Sequence, residues 1–288
     1  VFTPSGRGPR RTCAPGTGMT RSPRTALHPS RALWHDAAVT SPTSADPSRR
    51  ARSFELGARE YRRARPGYPR EAARWLTPGP GSRVLDLAAG TGKLTEVLLG
   101  LDLDVVAVEP SDAMRAELLD ALPGVTALPG TADAIPLPDG DRDGVVVAQA
   151  WHWFDPATAL PEIARVLRPG GRLGVVWNVR DHRVDWVDAF TEIIHRGDSL
   201  EPNHGPPELD ERFGELEHAV FEWRHRLAPG ELRTLAASRS HLLVLPPERR
   251  EELLDAVDEL VATHPELKGR ETIELPYRAT CWRAERLP

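Results

Sequence analysis

The stretch Arg83-Val-Leu-Asp-Leu-Ala-Ala-Gly-Thr-Gly-Lys-Leu-Thr95 reads as a short buried strand, a glycine turn and the first turn of a helix. Val84, Leu85 and Leu87 supply the apolar run that a parallel strand covered on both faces requires, and Asp86 interrupts it just before the turn. A carboxylate at that place must face a ligand or a hydrogen-bond donor. Gly90 and Gly92 fall where the chain reverses, free to take positive φ and to let a ligand approach the backbone with no Cβ in the way. Spacing narrows the loop type. A phosphate-cradling loop would need glycine where Leu87 stands and Ser or Thr where Leu94 stands, so it is excluded. A dinucleotide fingerprint wants a third small residue at Thr95, which weakens that reading without removing it.

Downstream the chain alternates. The helix after Gly92 turns Leu94, Val97 and Leu98 inward, and a second strand at 105–109 ends in Glu109, nineteen residues after Gly90. In a parallel sheet that end lies beside the glycine turn, where Glu109 can accept from both hydroxyls of a ribose. Ser111 and Asp112 supply N-terminal chemistry for a helix at 113–122. A third strand at 125–128 leads to Asp133, expected at a strand end on the same edge as Asp86 and Glu109 and able to accept from an adenine amino group. The fourth, at 145–149, runs into Ala150-Trp-His-Trp-Phe-Asp155, which puts three aromatics and a histidine where open α/β sheets bind ligands. Asp155 and Pro156 cap a helix with Leu160, Ile163, Ala164 and Leu167 on its buried stripe, ending at Arg168-Pro-Gly-Gly171. A fifth strand at 173–177 ends in Trp177-Asn178. This alternation predicts an α/β fold with a doubly wound, mostly parallel sheet.

The rest completes seven strands. It offers an amphipathic stretch at 184–194, a strand at 219–227, helices at 229–245 and 247–263, and a last strand on which Ile273, Leu275, Tyr277, Ala279 and Cys281 alternate, as in an antiparallel strand. Helical elements within 181–265 are expected to roof a substrate pocket, and His195 and His204 to be surface groups rather than metal ligands. Upstream, residues 54–69 predict a short helix and a rigid turn at Pro66 and Pro69 into a second helix at 70–76. That first helix either packs on the sheet or forms a flap whose Tyr61 and Tyr68 cover a ligand.

Five motifs in this order resemble the class I S-adenosylmethionine-dependent methyltransferases: residues 86–92, 105–114, 130–133, 149–155 and 162–171. The resemblance spans about residues 54–180. It is similar in particular to the small-molecule branch that includes trans-aconitate-type methyltransferases, in its Tyr61…Arg65-Pro-Gly-Tyr-Pro69 entry and its His152-Trp-Phe154 segment. The resemblance implies a Rossmann-like fold and S-adenosyl-L-methionine as cofactor, with Gly90 and Gly92 beneath its methionine and ribose part. It further implies Asp86 orienting the methionine end with Ala88 in the same binding turn, Glu109 on the ribose, and Pro110 and Met114 flanking the adenine. Asp133 and Ala134 would meet the adenine edge, and Gln149 and Ala150 would border the methionyl group. Tyr61, Tyr68, Trp151, Trp153 and Trp177 are the expected substrate-facing residues. His152, with an ordinary pKa of about 6.5, is the candidate base; for a carboxylate acceptor it would position instead.

Charge divides the chain. Net charge is −5 overall, but residues 1–52 carry nine Arg against Asp36 and Asp46, so this tail is +7 and the remainder −12. The tail, rich in Pro, Ser, Thr, Gly and Arg, has no apolar period and is expected to be disordered. Residues 53–288 then form the methyltransferase domain, with a core at 82–180, cap elements within 181–265 and a last strand at 271–283. Two cysteines make no disulfide framework, no Cys/His spacing suggests metal, and no apolar run reaches the roughly 18 residues of a membrane span. A cytoplasmic enzyme acting on a small molecule is expected, monomer or homodimer, without nucleic acid or membrane partners. Its rivals are an NAD-linked oxidoreductase on the same sheet and a non-catalytic S-adenosylmethionine-binding protein.

Overall fold

The computed structural model describes residues 58–198 and 205–288; the expected tail at 1–52, the start of the entry segment near Phe54, and His204 lie outside them. Seven strands form one sheet: β1 (Arg83–Leu87), β2 (Asp104–Val108), β3 (Thr126–Leu128), β4 (Arg142–Ala148), β5 (Leu167–Arg180), β6 (Glu217–Leu227) and β7 (Ile273–Glu285), in the spatial order β3-β2-β1-β4-β5-β7-β6. The first five are parallel, and β7 runs antiparallel to both β5 and β6. Strands β1 and β2 are buried at every position after the first, because helices cover both faces, and this explains their unbroken apolar runs.

The helices are α1 (Ala58–Ala64), α2 (Arg70–Leu76), α3 (Lys93–Leu99), α4 (Asp112–Ala121), α5 (Pro156–Val166), α6 (Asp185–His195), α7 (Glu231–Ala237), α8 (Ser240–Leu243) and α9 (Pro247–Thr263). Local chemistry sets several of their starts. Ser111 accepts from the Met114 amide at 3.3 Å to open α4, and Asp155 accepts from Ala157 at 3.0 Å, with Pro156 in the first turn, to open α5. One side of the sheet packs Leu160, Ile163, Ala164 and Trp151 against Val145, Val147 and Val175. The other packs Leu76, Leu94 and Leu98 against Val84, Val146 and Val176. A third cluster joins Phe190, Leu232, Leu235, Leu253 and Val257 to Leu275 and Tyr277, tying the cap helices to the start of β7.

Three expectations change. The predicted helix at 229–245 is two short helices, because Ser238 turns its hydroxyl back onto the Leu235 carbonyl at 2.7 Å and Arg239 is extended (φ −76°, ψ 137°). Strand β5 starts at Leu167 rather than 173, where Leu167 pairs with Arg142 of β4, and runs to Arg180, since β7 pairs with it from Arg172↔Glu285 to Arg180↔Tyr277. Strand β3 stops at Leu128, so Asp133 comes not from a strand end but from the turn closed by the Thr131–Ala134 bridge.

Candidate active site

The strand order reverses between β1 and β4, and the carboxyl ends of these two strands open the crevice that such a reversal creates. Both ends carry an unusual backbone. Ala88 and Gln149, each just past its strand, hold φ of 57° and 58° without being glycine, a conformation that costs on the order of 1–2 kcal/mol and that gathers at ligand sites. Gly90 (φ +57°) and Gly92 (φ +78°) complete the turn. At Gly90 a Cβ would stand in open space, whereas at Gly92 it would lie 2.8 Å from Leu118 Cγ. Gly92 thus lets α4 close on the turn, and Gly90 leaves the turn's outer face free.

Two buried polar atoms at this turn have no hydrogen-bond partner among the described residues: Asp86 Oδ1 and Thr91 Oγ1. The other carboxylate oxygen of Asp86 accepts from Thr95 Oγ1 at 2.6 Å. Burial outweighs that bond and lifts the Asp86 pKa to about 7. A buried orphan acceptor beside an open glycine face suits a ligand that brings its own donors and positive charge. Glu109, buried at the end of β2, accepts from the Gly90 amide at 2.8 Å and from the Ser111 amide at 2.9 Å. Burial raises its pKa, with those two amides working in the opposite direction. Its carboxylate therefore joins the first two turns and keeps lone pairs for further donors. Met114 is buried behind it, while Pro110, Asp133 and Ala134 are exposed along the same edge.

The second half of the crevice is aromatic. Trp151 to Trp153 form one 3₁₀ turn past β4. Trp151 is buried against Phe154 (centroids 5.7 Å apart), and Trp177, also buried, donates from Nε1 to the Gly205 carbonyl at 3.3 Å. The His152 ring lies 4.4 Å from Trp153 and 5.5 Å from Trp177. Desolvation on that side lowers the imidazole pKa to about 4, while its outer edge stays open to solvent. The near-neutral value expected from sequence is thus corrected, and His152 is uncharged at pH 7.

The entry segment lies over the turn. Helix α1 packs on α4 and α7, and Arg62 donates to the Thr91 carbonyl and pairs with Glu96 at 3.2 Å. Helix α2 is the one packed on the sheet. Tyr68 is half-buried, and desolvation together with nearby Tyr61 and Asp86 holds its phenol well above the ordinary value. Asn178, which sequence reading left without a role, binds the pieces together. Its Nδ2 donates to the Gly67 carbonyl at 2.8 Å, its Oδ1 accepts from Trp223 Nε1 at 2.9 Å, and its carbonyl accepts from Gln149 Nε2 at 3.0 Å. A polar residue ending a central strand was the signal available. His195 is not the surface group expected: its Nδ1 lies 3.0 Å from the Thr191 carbonyl and its Nε2 faces Arg239.

A family model described as a methyltransferase domain matches residues 85–175. The chain is 50% identical over 240 residues to an uncharacterized methyltransferase of Mycobacterium tuberculosis, covering 82% of this chain and 98% of that protein. It is 34% identical over 254 residues to an uncharacterized methyltransferase-like protein of Schizosaccharomyces pombe, covering 82% and 96%. A solved structure of a proposed type II methyltransferase from Anaeromyxobacter dehalogenans superposes with a TM-score of 0.59 at 27% identity, over 78% of this chain and 99% of that one. With half of the aligned residues shared along nearly the whole of a methyltransferase, and with the open glycine turn and the orphaned Asp86 oxygen in place, the chain belongs to the class I S-adenosylmethionine-dependent methyltransferases.

Proposed function

We propose that this enzyme methylates an oxygen of a small-molecule acceptor, a carboxylate or a hydroxyl, in the manner of the trans-aconitate-type branch. One observation carries the reading: His152, Trp153 and Trp177 form an aromatic cluster at the carboxyl ends of β4 and β5, on the sheet edge that also carries the glycine turn after β1. When bound, the donor supplies a methyl group already activated on a sulfonium sulfur. The residues have three tasks. Asp86, Ala88, Gly90 and Gly92 hold the methionine end and the sugar's underside; Glu109 binds the ribose. Pro110, Met114, Asp133 and Ala134 enclose the adenine, with Gln149 and Ala150 beside the methionyl chain. Tyr61, Tyr68, Trp151, Trp153 and Trp177 exclude water and set the acceptor in line at near-attack distance, which supplies most of the acceleration in such a reaction.

His152 decides between the two oxygens. An imidazole whose conjugate acid has a pKa of about 4 is a poor base toward an alcohol. A carboxylate loses no proton, so it is the favoured acceptor, and His152 then positions it. Cys281, a buried free cysteine whose thiol burial pushes up to about 12, suits a cytoplasmic location. The test is mass-spectrometric detection of methylated products from a panel of small carboxylic and hydroxy acids, trans-aconitate among them, with wild type and His152→Ala. A methyl ester whose formation falls less than about tenfold in the variant fits positioning, and a loss of roughly 10²–10⁴ fits a base. Turnover of peptide or RNA with none on the panel would sink the small-molecule reading.

A further inference from the structure

The two edges of the sheet differ. At one, β3 is three residues long; at the other, β6 runs for eleven, Glu217–Leu227, where strands commonly have about 5–6. Among the described residues no strand or bridge pairs with the outer side of β6. Its register with β7 is unbroken from Glu217↔Arg283 to Leu227↔Ile273, so no bulge bends this edge away. Sheets usually blunt their edges with proline, lysine, bulges or short strands. Strand β6 has neither Pro nor Lys, and Ala219, Val220, Phe221 and Trp223 make its middle largely apolar. None of the residues from 217 to 226 is buried, so the edge lies open.

The alternation of antiparallel hydrogen bonds decides which groups face outward. A residue that exchanges bonds with one neighbouring strand turns its groups toward it, and the next residue turns away. Asp181 N donates to the Pro276 carbonyl at 3.0 Å and Arg286 N to the Gly171 carbonyl at 2.7 Å, at the two ends of the β5–β7 pair. Even-numbered residues of β7 therefore face β5, and odd-numbered ones face β6. Tyr277 is opposite Trp223 and Ala279 opposite Phe221, so the odd-numbered residues of β6 turn inward to β7. His218, Val220, Glu222, Arg224 and Arg226 then point their N–H and C=O groups to the outside.

We propose that β6 pairs antiparallel with β6 of a second copy of this chain, about a two-fold axis at Trp223, giving a homodimer with one continuous sheet. Charge selects the register. Outward-facing residues must meet outward-facing residues, so the axis passes through a residue position. An axis at Glu222 or at Arg224 sets like charges directly opposite, which is destabilising. An axis at Phe221 sets Val220 against Glu222 and His218 against Arg224, with no pair of opposite charges. An axis at Trp223 sets Glu222 of each copy against Arg224 of the other and Val220 against Arg226, with Trp223 meeting Trp223 on the opposite face. Within one chain Glu222 pairs with Arg183 at 2.6 Å and Arg224 with Glu274 at 3.5 Å. The side chains of Glu222 and Arg224 are nevertheless 63% and 66% exposed, so these pairs are weak and both groups stay reachable. Such an interface is isologous and closes at two copies. Trp223 Nε1 donates to Asn178 Oδ1, so the seam lies one hydrogen bond from the residue that holds the entry segment at Gly67.

The experiment is sedimentation equilibrium of the full chain across a range of concentrations, with thermal melting of each variant as a folding control. Wild type, Glu222→Arg, Arg224→Glu, an equimolar mixture of these two variants, and Val220→Pro are compared. Glu222→Arg alone sets arginines against arginines, and Arg224→Glu alone sets glutamates against glutamates. Mixed, the two variants again set opposite charges face to face, which pairing within one chain would not bring about. Expected are a concentration-dependent dimer for wild type, self-association weakened about tenfold or more in each charge variant, and a dimer restored in the mixture. Val220→Pro removes an outward N–H while leaving the β6–β7 bonds in place, and should be monomeric. A monomeric wild type overturns the proposal and leaves the edge to an extended segment of a different protein. A dimer that every variant preserves places the interface elsewhere, and a mixture that stays monomeric refutes pairing about Trp223. Should Val220→Pro fail to fold, the mixing experiment still decides.

Discussion

Gly90 and Gly92 are two residues apart and do different work. Ala at Gly92 would need φ of +78° and would press its Cβ to 2.8 Å from Leu118 Cγ, so Gly92→Ala should destabilise the fold by about 2–4 kcal/mol. Ala at Gly90 carries only the backbone cost, about 1–2 kcal/mol, but its methyl enters the space proposed for the donor. Melting curves and S-adenosylhomocysteine titration should therefore separate them, with Gly90→Ala folding well and binding at least tenfold more weakly. Unchanged affinity would show that the open face is not the binding face. Asp86 makes a second prediction. Its folded pKa, about 7, lies above its ordinary 3.8. Below pH 4 both folded and unfolded chains hold the proton and there is no penalty. Between pH 4 and 7 the unfolded chain gives it up first, so the folded state loses stability as pH rises. His152 acts oppositely: its depressed pKa adds stability as pH rises from about 4 to 6.5. Comparison with Asp86→Asn isolates the carboxylate. The melting temperature of the variant minus that of wild type, without ligand, should grow from pH 4 to 7 and then level. A flat difference would refute the raised pKa.

At the scale of elements, Asn178 fastens the entry segment, β4 and β6 to the end of β5. Asn178→Ala leaves the Gly67 carbonyl and Trp223 Nε1 without their partner and should cost about 1–3 kcal/mol in denaturant unfolding. Asn178→Asp keeps the acceptor for Trp223 but sets a carboxylate oxygen against the Gly67 carbonyl, so it should lose at least as much. A loss below about 0.5 kcal/mol in both variants would show that Asn178 does not fasten these elements. Elements whose cause is local were legible in the sequence. The Ser111 and Asp155 caps, the glycine turn and the long α9 stripe all stand where residue chemistry put them. Those shaped by tertiary contact were not. Ser238 breaks a pattern that looks continuous from 229 to 245, and β5 extends beyond the expected 173–177, at its end because β7 runs alongside it to Arg180 and at its start because Leu167 pairs with Arg142 of β4. The positive φ of Ala88 and Gln149 has no sequence signal either, as neither is a residue type that prefers it.

Across the whole molecule, the residues proposed for the donor follow the strand ends in order, and one reversal of strand order brings the ends carrying Asp86, Gln149 and Trp177 to one edge of the sheet. Contacts between distant segments were not readable: the Nδ2 of Asn178 reaches the Gly67 carbonyl across 111 positions, a pairing that no spacing announces. The pKa of His152 likewise depends on Trp177, which arrives from another strand. The central claim is that Asp86, Gly90 and Glu109 cradle an adenosyl ligand, and one calorimetric experiment tests it. Wild type and Glu109→Ala are titrated with S-adenosylmethionine, S-adenosylhomocysteine and NAD. The account predicts that both adenosyl ligands bind wild type, that Glu109→Ala weakens them by about 10- to 100-fold through loss of charge-assisted hydrogen bonds, and that NAD does not bind. Adenosyl binding indifferent to Glu109, or binding of NAD in its place, would contradict it.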